Sequence, residues 1–171
     1  MSPVAPAPII VTALFDAADA AWLNDLRRAH FPPERNHLDA HLTLFHHIAP
    51  DLARELKQRL SAATRGMPAP QAWLGGVMSL GRGTAFRVES PALESIRAEL
   101  AHAFAPMLVP QDRAGWRPHV TIQNKVEPAA AKALQAALSA SFSRRPLAIS
   151  GLASWWYRGG PWEPLSRHMF A

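Results

Sequence analysis

The chain has 171 residues, no cysteine and a formal net charge of +5, so it is long enough to bury one ordinary core. The lack of cysteine excludes a disulfide framework, a thiolate nucleophile and a zinc–sulfur centre. The positive charge favours an anionic partner, nucleic acid or nucleotide, although the basic residues form no dense tract.

Residues 1–8 carry three prolines and no basic flank, and they read as a loose arm rather than a signal sequence. The apolar run 9–15 is too short to span a membrane and β-branched enough for a buried strand. Asp16 follows as a helix N-cap, and Trp22, Leu23 and Leu26 stripe a helix over 17–30 that ends in Arg27 and Arg28. Phe31-Pro32-Pro33 stops it, and a loop leads into a strand from His41 to about Ala49. Pro50 opens a second helix, with Leu52, Leu56 and Leu60 on one face as far as Thr64. Residues 71–80 and 84–89 read as a hairpin turning at Gly81-Arg82-Gly83. Ser90 caps and Pro91 opens a third helix, striped by Leu93, Ile96, Leu100 and Phe104. Residues 109–117 form a polar, basic loop that delivers Trp116 and Arg117 to a strand beginning at His119. Pro128 opens a fourth helix carrying Leu134, Leu138 and Phe142. A strand over 147–157, a turn at Gly159-Gly160-Pro161 and a closing segment 162–170 complete the chain.

Two of these strands repeat each other. Sliding the chain by 78 positions lays His41-Leu42-Thr43-Leu44 over His119-Val120-Thr121-Ile122. The same offset matches Pro50 with Pro128, Leu56 with Leu134, Leu60 with Leu138 and Ser61-Ala62 with Ser139-Ala140. Strand, helix, loop, histidine strand and helix occur twice, which marks an internal duplication. The expected architecture is α+β: one domain over 1–171, built from two lobes with mostly antiparallel sheets flanked by helices around a central cleft.

Alternation along each strand sends His41 and Thr43, and likewise His119 and Thr121, to one face, while Leu42, Leu44, Val120 and Ile122 turn into the core. Core packing gives no reason to keep a polar pair facing one way in both halves. An imidazole serves as general base or acid, and a neighbouring hydroxyl donates to an anionic oxygen, so two such pairs suit a phosphate. Phe45 and Lys125 continue the same faces and are candidates to stack on a base and to meet a second phosphate. Trp116, Arg117, Tyr157 and Arg158 are further substrate-binding candidates, because aromatics beside arginine hold nucleobases and phosphates. His37, His41, His46 and His47 suggest a metal, but alternation turns His46 away from His41 and no acidic residue completes a ligand spacing, so no metal and no cofactor is expected.

The two His-x-Thr-x motifs, with the strand and helix order around them, resemble the two-histidine (2H) phosphoesterase superfamily of 2′-5′ RNA ligases and RNA 2′,3′-cyclic phosphodiesterases. The resemblance implies a bilobal fold with the motifs facing across a cleft, metal-independent chemistry, and an RNA end or cyclic nucleotide as substrate. It leaves open hydrolysis against ligation, and which histidine is acid and which base. A cytoplasmic protein with no membrane and no obligate protein partner is expected. A non-catalytic RNA- or nucleotide-binding module and a cyclic phosphodiesterase of a small metabolite are the alternatives.

Overall fold

The computed structural model describes residues 6–171; of the loose arm expected at 1–8, residues 1–5 lie outside the described residues. The strands are β1 (Ile9–Phe15), β2 (Leu42–Ile48), β3 (Trp73–Ser79), β4 (Thr84–Glu89), β5 (His119–Gln123), β6 (Arg145–Pro146), β7 (Ile149–Trp156) and β8 (Glu163–Met169). The helices are α1 (Ala17–His30), α2 (Ala53–Thr64), α3 (Pro91–Phe104), α4 (Pro110–Arg113) and α5 (Pro128–Ser141). The α+β architecture is as expected, and two details of the elements differ. Asp16 occupies the N-cap of α1, but its side chain makes no capping bond, whereas the Ser90 hydroxyl accepts from Leu93 N–H at 3.2 Å. The loop before β5 contains the short helix α4, opened by Pro110.

The expected pair of sheets is a single curled sheet of eight antiparallel strands in the order β6-β3-β4-β5-β2-β1-β7-β8. Its two four-stranded halves are joined at β2 and β5 through the register pair Leu42 with Val120. Beyond that pair the facing edges are satisfied by side chains instead of a neighbouring strand. Trp116 Nε1 donates to Thr43 O (3.0 Å), Arg97 Nε to Leu44 O (3.1 Å) and Arg27 Nη1 to Thr121 O (2.8 Å). The Asp112 carboxylate takes the backbone N–H groups of His46 (2.8 Å) and His47 (2.9 Å). This wedge of side chains keeps the two halves apart while pairing the edge groups that the missing strand contacts would leave bare.

The halves follow one plan. In each, the histidine strand pairs with the first strand of its repeat, β2 with β1 and β5 with β4. The third strand crosses over: β3 pairs with β4, and β7 pairs with β1. The helices cross as well, α1 packing on β5, α5 on β3 and β4, and α2 on β7 and β8. Leu23, Leu56, Leu60, Leu93, Leu100, Phe104 and Leu134 from the helices join Ile9, Val11, Leu42, Leu44, Val120 and Ile122 in one core. Across the tight β3–β4 turn Gly81 takes a left-handed conformation, φ +80°.

Candidate active site

Leu42 and Val120 are fully buried, so the residues on either side of them face away from the core. Because the pair is antiparallel, its register sets His41 across from Thr121 and Thr43 across from His119. The four side chains therefore form a block on one face, with the two histidines as diagonal neighbours about 7–8 Å apart at the backbone.

Each imidazole is oriented by the same device. His41 Nδ1 lies 2.8 Å from the carbonyl of Asp39, and His119 Nδ1 lies 2.8 Å from the carbonyl of Arg117, two residues upstream in both cases. A carbonyl oxygen only accepts, so Nδ1 carries the proton in each ring and Nε2 is left to meet a ligand. The threonines repeat the pattern. Their carbonyls are taken by Trp116 and Arg27, while among the described residues neither hydroxyl has a hydrogen-bond partner.

Burial pushes the His41 pKa down to about 4, against the raising effect of its bond to the Asp39 carbonyl; the positive charges of Arg27, His119 and His46 lower it further. Part of that enclosure is Trp162, whose ring stands edge-on to His41 at 4.7 Å between centroids. Trp162 comes from the β7–β8 hairpin tip, where Gly159 at φ +90° allows the chain to turn. Arg27 and Arg97 are both almost wholly buried, and desolvation lowers the pKa of each.

Two cavities flank His41 and share it with His37, Leu38, Pro161 and Trp162. One, about 400 Å³, is aromatic and lies over β1 and β7, with Phe15, Trp155 and Arg167 in its wall. The other, about 450 Å³, contains Thr121, Arg27, Arg35, Lys125 and Tyr157.

The remaining sequence candidates divide. Lys125 and Tyr157 stand in the second cavity beside His41. Phe45 does not reach the cleft. Register shifts by one residue between Val11 and Thr12 as they pair with Phe45 and Thr43, so β2 bulges at Leu44 and turns Phe45 into the core, fully buried, with the Arg97 guanidinium 4.4 Å from its ring centre. The same bulge follows Thr121, and Gln123, in the place equivalent to Phe45, is buried against Thr84 Oγ1 at 2.9 Å. Trp116 is packed on the core with its indole N–H on Thr43 O, and with Arg117 it borders a separate depression near β3 and α3. Arg158 makes an ion pair with Glu163 at 3.0 Å and does not line either cavity at His41. Among the described residues no group of three His, Asp or Glu is placed to hold a metal, and no helix is long and apolar enough to cross a membrane.

The model of the 2′-5′ RNA ligase superfamily matches residues 15–161, nearly the whole folded chain and both histidine strands. The chain belongs to this superfamily. No curated protein matches the sequence. Among solved structures, E. coli LigT complexed with 3′-AMP aligns with 98% of this chain and 99% of its own at 16% identity and a TM-score of 0.64. TT0787 of Thermus thermophilus aligns with 95% of this chain and 97% of its own at 13% identity and a TM-score of 0.65. Both therefore share the fold of this superfamily member end to end.

The superfamily member also has site residues that sequence reasoning missed. Trp162 and Arg167 carry no motif, and only the Gly-Gly-Pro turn before Trp162 hints that the chain doubles back there. Arg87 stands opposite His119 in the register of β4 and β5, but its guanidinium bonds to Gly75 O at 3.0 Å, pairs with Glu89 and lines the separate depression that Trp116 and Arg117 border.

Proposed function

We propose that this chain, one domain of two duplicated lobes, is a metal-independent phosphoesterase that opens 2′,3′-cyclic phosphates at the ends of RNA or on nucleotides. The observation that carries the reading is the matched orientation of His41 and His119: two rings with the same locked tautomer, diagonal to each other, each beside a threonine hydroxyl free to donate.

His41, held neutral by burial, acts as the base and removes a proton from water as its oxygen bonds to phosphorus. His119, entering as the imidazolium, gives its proton to the ribose oxygen whose bond to phosphorus breaks. Thr43 and Thr121 donate to the non-bridging oxygens, where negative charge gathers in the transition state. With a 5′-hydroxyl in place of water, the base takes the proton of that hydroxyl as its oxygen bonds to phosphorus, the acid protonates the departing 3′ oxygen, and the same groups close a 2′-5′ linkage. Solved E. coli LigT structures with 3′-AMP and with NADP+ support a nucleotide-sized ligand for this fold.

The test is a panel of 2′,3′-cyclic nucleotides, RNA ending in a cyclic phosphate and 2′-5′-linked oligonucleotides, assayed in excess chelator with products identified. Turnover of at least one class to a phosphomonoester is expected. Failure on all three, or activity that returns only with a divalent ion, overturns the proposal.

A further inference from the structure

We propose that the cavity beside His41 and Thr121 is a subsite for a second phosphate, carried on the 5′ oxygen of the same ribose whose 2′,3′ phosphate is opened. The inference rests on the phosphoesterase reading and adds to it which substrates are preferred.

The two cavities at His41 differ in charge. The one over β1 and β7 holds Asp39 together with Arg167. The one beside Thr121 holds Arg27, Arg35 and Lys125 and no carboxylate. Arg27 has a fixed place in that wall: its guanidinium bonds to Thr121 O and to Asn36 Oδ1 (3.2 Å) and lies 4.3 Å from the centre of the Phe31 ring. Arg35 and Lys125 are exposed, and among the described residues neither has a carboxylate partner. Arg158, by contrast, is ion-paired with Glu163.

Among the described residues Lys125 is also the non-glycine residue with positive φ, 64°, and its N–H is held by Asn124 Oδ1 at 2.9 Å. Such a backbone persists where the surroundings over-determine it, and these places cluster at ligand contacts. It sits four residues past Thr121, on the segment leaving β5. His41 and Thr121 of the histidine block line the same cavity of about 450 Å³ as Arg35 and Lys125, with Tyr157 and Trp162 also in its wall, so a scissile phosphate at the block and a second anion at the two cations would share that cavity. That volume suits one nucleotide unit, and the cations suit phosphate oxygens through charge-assisted hydrogen bonds.

Titration calorimetry with adenosine 3′-monophosphate and adenosine 3′,5′-bisphosphate reads the subsite without requiring turnover. The bisphosphate is expected to bind about tenfold more tightly at low salt, and the ratio to fall towards one in Arg35→Ala/Lys125→Ala. In turnover, adenosine 2′,3′-cyclic phosphate is compared with its 5′-phosphorylated form and with a dinucleotide ending in the cyclic phosphate. A gain for the 5′-phosphate alone identifies a terminal monoester as the ligand, and a gain for both identifies the upstream phosphate of an RNA end. Equal binding of the two adenosine phosphates, or a preference that survives the double substitution, overturns the subsite. A bisphosphate preference lost in the variant, without hydrolysis of any cyclic phosphate, keeps the subsite and removes the catalytic reading instead.

Discussion

Trp162 stands edge-on to the imidazole of His41, with ring centroids 4.7 Å apart and planes at 61°. Desolvation is the largest influence holding the His41 pKa at about 4, and Trp162 is the aromatic wall in contact with the ring. Trp162→Ala admits water, so the His41 pKa should climb from about 4 towards its ordinary 6.5. The acidic limb of the pH–rate profile should move up with it. Titration of the His41 ring signals by NMR in both proteins measures this directly. A value still near 4 in the variant would assign the burial to the sheet and the loop before β2.

Opposite protonation states of the two histidines require a bell-shaped profile whose limbs belong to the coupled pair. Replacing His41 or His119 by alanine should cost roughly 10²–10⁴ in rate. Thr43→Ala or Thr121→Ala should cost about ten- to a hundredfold, the worth of one hydrogen bond to a charged oxygen. If His41 is the base, its replacement removes the acidic limb, and replacement of His119 removes the basic one. The reverse assignment of limbs would exchange their roles.

Folding stability should carry the His41 signature too. Between pH 6.5 and about 4 the unfolded chain binds a proton at this ring that the folded chain does not, so stability falls as the pH is lowered through that window. His41→Asn keeps an N–H donor for the Asp39 carbonyl but cannot titrate. Urea midpoints followed across that window should therefore decline less steeply in the variant. Parallel declines in the two proteins would contradict the depressed pKa.

Asp112 is fully buried, and its pKa is lowered: burial works to raise it, but the His46 ring and the N–H groups of His46 and His47 together outweigh that. Asp112→Asn turns one acceptor into a donor facing these N–H groups and should destabilise the fold by about 2–3 kcal/mol, read from chemical denaturation. Because the carboxyl pKa is depressed, its contribution is present above the usual value near 3.8 and is lost as the pH falls through the folded value. With the edge of β2 loosened at His46 and His47, turnover should fall as well, through misplacement of Thr43 and His41.

The histidine block is legible in the sequence because core packing alone does not preserve a polar pair on the same face of two alternating strands. The helices are legible from their leucine stripes and prolines. The bulge at Leu44 is not, since Leu44 and Phe45 are both apolar and give alternation no sign that it has broken; strict alternation misplaces Phe45 for that reason. Strand pairing between the two halves is a single register pair, Leu42 with Val120, between strands far apart in the chain, and neither residue by itself names its partner. Arg27 reads as a complement to the α1 dipole, and only packing across to β5 reveals that its guanidinium holds Thr121 O.

The crossing of β3 and β7 means that neither repeat is complete by itself. A chain ending after β3 would contain β1 without the strand that covers its outer edge, and β3 without the strand it pairs with. A second identical copy would supply both, in a two-fold arrangement with β2 meeting β2 as Leu42 meets Val120 in this chain. Such a homodimer has two equivalent histidines and cannot assign one as donor and the other as acceptor by sequence. A single polypeptide is free of that constraint. Here Trp155 and Trp162 gather around His41 while Arg87 lies opposite His119 in register, and two halves built on one plan are open to separate evolutionary fates.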